Sequence, residues 1–82
     1  MNRNEIFEKL KEVFTLAVGE DSTELEKFTV DADLIKDLGL NSVGVLYFVA
    51  GIEEAFDIQF DDVGFNDFKT VSTVIDYIEK QL

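Results

Sequence analysis

Fifteen consecutive residues, Leu38 through Ile52, carry no charge, in a chain where nearly every third residue is charged. The run shows no sustained alternation of apolar and polar residues, so it does not read as a strand. At helical spacing Val45, Phe48, Val49, Ile52 and Phe56 fall on one side. The spacing predicts a helix from about Ser42 to Phe56 with that stripe in the core. Its other side carries Val43, Leu46, Tyr47, Ala50 and Glu54. Over the first two turns that side is apolar where a solvent face would be charged. An exposed apolar face marks a partner site; the alternative is that the preceding loop covers it. We adopt the partner reading.

The flanking segments repeat the helical period. Ile6, Leu10, Val13, Phe14 and Ala17 predict a first helix from about Glu5 to Val18, with Asn4 as N-cap and Gly19 as its stop. Residues 19–41 read as a loop that is long for so small a chain, and loops of that length are functional or packed by their own side chains. Phe28, Val30, Leu34, Ile35 and Leu38 are the residues to pack it. A short helix over about Asp62–Asp67 would bring Phe65 and Phe68 inward. The last helix starts after Thr70 as N-cap and buries Val71, Val74, Ile75, Ile78 and Leu82. The fold class is all-α: one domain over residues 1–82, a small four-helix bundle of three main helices and one short helix, with the long loop between helices 1 and 2.

Composition narrows the function. Cysteine is absent, which removes disulfides, zinc–thiolate sites and a thiol nucleophile. Histidine is absent, which removes the commonest general base and transition-metal ligand and rules out a Ser-His-Asp triad. The chain is therefore not read as an enzyme. Its net charge is −11, from 18 acids and 7 bases. No basic patch is available for nucleic acid or anionic membrane surfaces. Between Lys36 and Lys69 there is no Lys or Arg, while Asp37, Glu53, Glu54, Asp57, Asp61, Asp62 and Asp67 lie in that interval. Basic partners are expected there, with electrostatic steering of the encounter. The N-terminus does not read as a signal peptide and no apolar run reaches the roughly 18 residues of a membrane span. The expected protein is a cytoplasmic monomer without membrane insertion.

DADLIKDLGLNS holds Asp31, Asp33 and Asp37, but Ile35 and Lys36 stand where a calcium loop needs a ligand and a glycine. That reading is rejected. Ser42 remains, the one serine in the uncharged run, and by helix chemistry alone it is an N-cap.

DLGLNS, followed by an apolar helix ending in EEAFDI, a short acidic segment and TVSTVIDYIEKQL, resembles the acyl carrier protein family over about Glu5 to Leu82. The resemblance implies that Ser42 receives 4'-phosphopantetheine from coenzyme A, through a separate phosphopantetheinyl transferase with magnesium. The arm would end in a thiol that carries acyl groups as thioesters, which lets a chain without Cys or His handle reactive acyl groups. A helix start suits the phosphate, and Gly39 allows the tight entry into the helix. The implied partners are that transferase and acyl-transferring or acyl-processing enzymes with basic and apolar docking surfaces. They would meet Asp37, Asn41, Val43, Leu46, Tyr47, Ala50, Glu53 and Glu54.

The chain departs from the fatty-acid carriers at several positions. Asn41 replaces their usual Asp, Val43 their Leu, Gly44 a common Asp and Tyr47 a common Glu. The first half of their acidic ridge is therefore missing, and Glu53 and Glu54 keep the second half. The expected function is carriage of acyl intermediates in a fatty-acid, polyketide or specialised acyl pathway. The rivals are an aminoacyl or D-alanyl carrier, which Gly44 suggests, and an unmodified adaptor with the carrier fold.

Overall fold

The computed structural model of the protein is described for residues 1–19, 23–60 and 68–82. Within them lie three α-helices, α1 (Arg3–Val18), α2 (Ser42–Phe56) and α3 (Val71–Gln81), and one 3-10 turn, Thr23–Lys27. No strand is present among the described residues, only an isolated bridge between Asp33 and Thr70. The all-α bundle is as expected. The short helix predicted over Asp62–Asp67 falls outside the described residues, and Phe65 with it.

Helix α1 starts earlier than predicted. Asn2 caps it, not Asn4: the Asn2 side-chain oxygen accepts from Glu5 N at 2.8 Å and the Glu5 carboxylate accepts from Asn2 N at 3.2 Å. This reciprocal pair satisfies two N–H groups that the helix itself cannot. Gly19 ends the helix at φ +94° and donates to Thr15 O. Helix α2 spans the predicted residues. Its end is marked by Asp57 in a left-handed conformation, one that Asp tolerates better than most residues. Thr70 caps α3, its hydroxyl oxygen accepting from Thr73 N at 3.2 Å.

The stripes pack as predicted except that Ala17 and Val49 are only half-buried, with α1 against both α2 and α3. Ile6, Leu10, Val13 and Phe14 of α1 are buried with Val45, Phe48, Ile52 and Phe56 of α2 and Val71, Val74, Ile75 and Ile78 of α3. Leu82 is exposed at the end of α3, contrary to expectation, because the helix stops one residue before it. The loop is packed by its own side chains. Phe28 lies between Phe7 and Phe14, with ring centroids 5.3 and 5.1 Å away. Leu34 and Leu38 are buried as predicted. Val30 and Ile35 are exposed instead, and Ala32 and Leu40 take the inward positions. The backbone accounts for the exchange. Ser72 N donates to Val30 O, Val71 N to Ala32 O and Leu34 N to Lys69 O, so residues 30–34 run along the start of α3, with Ala32 and Leu34 against the core and Val30 left at the open end of the seam.

Candidate functional site

The entry to α2 is built by one compact turn. The Asp33 carboxylate accepts from Ile35 N at 2.9 Å and Lys36 N at 2.8 Å, and the Asp37 carboxylate accepts from Asp33 N at 2.8 Å. These N–H donors hold the Asp33 carboxyl below its ordinary range, the Lys36 bond most strongly. The turn is closed by Gly39 at φ +73°, which an L side chain rarely adopts, and Leu40 N donates back to Leu34 O. Asp37, expected to meet partners, thus spends one oxygen on the turn.

Asn41 is the N-cap of α2, its side-chain oxygen accepting from Gly44 N at 2.8 Å. Ser42 is therefore not the cap but the first helical residue, and it is exposed. Its hydroxyl is left for other chemistry because its neighbour does the capping. Gly44 is placed by packing: a Cβ there would meet Leu40 Cδ2 at 3.3 Å and Asn41 Oδ1 at 3.4 Å.

The loop does not cover the outer side of α2. Val43 is 72% exposed, Leu46 61% and Tyr47 67%, and Ala50 and Glu54 are exposed too. Glu53 is half-buried and accepts from Phe60 N at 2.9 Å, so part of its carboxylate serves the chain after α2. The surface includes a residue the α2 pattern could not reveal: Leu16 of α1, 85% exposed. It breaks the polar side of the α1 period, and that break is the signal that could have found it. Leu16 and Ala17 face Tyr47 and Ala50 across a groove of about 570 Å³. A shallower hollow of about 360 Å³ lies between Ala17, Val43 and Tyr47 near the start of α2.

An attached phosphate fits the start of α2. The N–H groups of Ser42 and Val43 have no acceptor within the helix, and the first turn holds no acid that would repel an anion. Among the described residues no group of Asp and Glu is placed to hold a metal ion.

Residues 8–78 match the family described as the phosphopantetheine attachment site. The chain is 34% identical over 82 residues to an acyl carrier protein of Coprothermobacter proteolyticus, covering all of this chain and 96% of the relative. It is 35% identical over 81 residues to that of Thermotoga maritima, covering 99% and 96% of the two chains. For that of Akkermansia muciniphila the identity is 36% over 80 residues, covering 98% and 96%. The chain belongs to the acyl carrier protein family. Acyl carrier proteins are carriers and not enzymes, and the group they hold is phosphopantetheine. Among the described residues no helix is long and apolar enough to cross a membrane.

Proposed function

We propose that Ser42 is the attachment residue and that the protein carries acyl intermediates between separate enzymes of a fatty-acid, polyketide or specialised acyl pathway. One observation carries the assignment. Ser42 is exposed on the first turn of α2, relieved of capping by Asn41 and approached through a turn held by Asp33, Asp37 and Gly39. Ser72 is half-buried on α3, with its hydroxyl 3.5 Å from the Arg3 guanidinium. On this reading the Ser42 oxygen would give its proton to a base of the transferase and bond to the pantetheine-side phosphorus of coenzyme A, and the pyrophosphate bond would break so that the nucleotide half leaves with its own phosphates. The attached arm supplies a thiol that holds the acyl group as a thioester. The residues at the helix start would hold it: Asn41 keeps the first turn wound, and the free N–H groups of that turn would favour the phosphate's negative charge.

The transferase and the acyl-processing enzymes would meet the exposed residues around Ser42, chiefly Leu46, with Val43 and Glu53 beside it. Gly44 has a packing reason in Leu40 and Asn41, so it no longer favours an aminoacyl cargo.

The test is loading of the apo protein with coenzyme A, magnesium and a broad-specificity transferase, read by intact mass. Wild type and Ser72→Ala should gain one arm and Ser42→Ala none. An arm on Ser42→Ala would refute the assignment. Failure of the wild type with several transferases would favour an adaptor.

A further inference from the structure

The hollow at the start of α2 and the groove between α1 and α2 form one channel. Leu40, Asn41, Val43 and Gly44 line the hollow, and it shares Ala17 and Tyr47 with the groove. Asn41 and Val43 stand on either side of Ser42 in the chain, so the channel opens beside the Ser42 hydroxyl. From Gly44 it runs past Tyr47 and Gly51 to Ala55, about 16 Å along α2. The floor is firm. A Cβ at Gly51 would stand 3.0 Å from Val13 Cγ1, so the two helices touch there, and Val45, Phe48 and Ile52 beneath are fully buried. A guest in the channel therefore lies on the bundle and does not pass between α1 and α2. One wall carries Leu16, more exposed than any other large apolar side chain among the described residues. Among the described residues Glu54 is the one charged side chain of the lining, and it stands at the end away from Ser42.

We propose that this channel is the resting place of the cargo: the acyl chain on the Ser42 arm turns back at the start of α2 and lies along the outside of α1 and α2, between Leu16 and Tyr47. The proposal rests on Ser42 as the attachment residue and adds the class of cargo. From Val43 to Ala50 the lining is apolar, so it suits an aliphatic chain without polar groups. Glu54 at the far end repels a chain that ends in a carboxylate. The tether makes a half-open channel sufficient. Held to Ser42, the chain is present at a roughly millimolar effective concentration, so weak contact fills the channel. Each methylene with half of its surface taken out of water favours docking roughly twofold. A free partner has no such advantage, and a second copy of this chain would bring another −11 of charge to an acidic surface. Because the channel is open along its length, the chain can be lifted out by an enzyme without the helices parting.

The test uses the full chain, 15N-labelled and loaded on Ser42 from acyl-coenzyme A analogues with an amide in place of the thioester. Intact mass verifies the loading. Relative to the protein with the bare arm, an octanoyl chain should shift the amides of Leu16, Ala17, Ala50 and Gly51. Its docked-to-free ratio should be about 16-fold higher than that of a butanoyl chain. An eight-carbon chain ending in a carboxylate should not produce these shifts, and Glu54→Gln should restore part of them. Leu16→Asp should lower the octanoyl ratio about tenfold. Val30→Asp, the same acid on an exposed apolar residue outside the channel, should leave the ratio as in wild type. Both positions are exposed, and spectral dispersion verifies the folds. If no transferase loads Ser42, the attachment reading fails and this proposal falls with it. If loading succeeds, shifts centred on Ile75 and Ile78 would put the chain inside the bundle and overturn this proposal alone. So would shifts confined to the residues next to Ser42, equal docking of the butanoyl or the carboxylate-ended chain, or a docked octanoyl chain that Leu16→Asp leaves in place. Shifts that grow with protein concentration would mean a second molecule fills the channel and would overturn it as well.

Discussion

Asp33 accepts from the backbone N–H of Lys36 and Ile35, and these bonds favour its charged form, lowering its pKa from the ordinary 3.8. Because folding lowers the pKa, the unfolded chain takes up this proton first as pH falls. The stabilisation is therefore complete above about pH 4–5 and is lost as pH drops through the folded value, below 3.8. Asp33→Asn keeps an acceptor but cannot ionise. Its melting temperature should lie below that of wild type by a constant margin from neutral pH to about pH 5, and the margin should shrink below about pH 4. A margin that is flat down to pH 3 would show that the carboxylate charge contributes nothing to the turn. At this scale the sequence was legible where a residue answers to its immediate neighbours: Thr70 caps α3 as expected, and Gly39, read as allowing a tight entry into α2, does so with a positive φ. It was less legible where two candidates compete. Asn2 and Asn4 both suit a cap, and only Asn2 has Glu at the reciprocal third position, Glu5. Ser42 and Asn41 competed in the same way, and Asn41 does the capping.

Helix α2 is positioned by contacts at both its faces and its start. Gly51 faces Val13 so closely that Gly51→Ala sets a gain in helix propensity, about 1 kcal/mol, against a clash with a stiff β-branched side chain. The clash should win, with a net loss of about 1 kcal/mol and a lower melting temperature. In a Val13→Ala background the same change should become stabilising, a sign reversal that thermal melts of the four proteins would read as coupling between the helices. The three helices were legible because a buried stripe is a local pattern with a fixed period. The loop was legible only in part. Which of its apolar residues turn inward depends on the backbone bonds from residues 30–34 to residues 69–72, nearly forty positions away, and no local pattern encodes those partners. The same limit hid Leu16: its place opposite Tyr47 exists only once α1 and α2 are packed.

Over the whole molecule the charge is −11, and the ion pairs of Arg3 with Asp76 and Glu79 are exposed, so their worth in water is small. Repulsion among the acids should dominate at low ionic strength, where the Debye length is about 30 Å. The melting temperature should rise from low to moderate salt. A midpoint that stays constant or falls would mean that the attraction between α1 and α3 through Arg3 outweighs the repulsion.

The backbone bonds that lace residues 30–34 to the first residues of α3 also set how the protein opens. The amides of Leu34, Val71 and Ser72 donate across that seam, so none can exchange with solvent water unless the seam parts. They should exchange deuterium with one common protection, well above that of the Gly19 amide at the end of α1. The run from Leu34 to Ser42 is short, and its turn is bonded from Ile35 to Leu40. Opening the seam should then free the approach to the serine in the same event, which equal protection of the Gly39 and Leu40 amides would check. The start of α2 would then share its local unfolding free energy with the first turn of α3, thirty residues further along the chain.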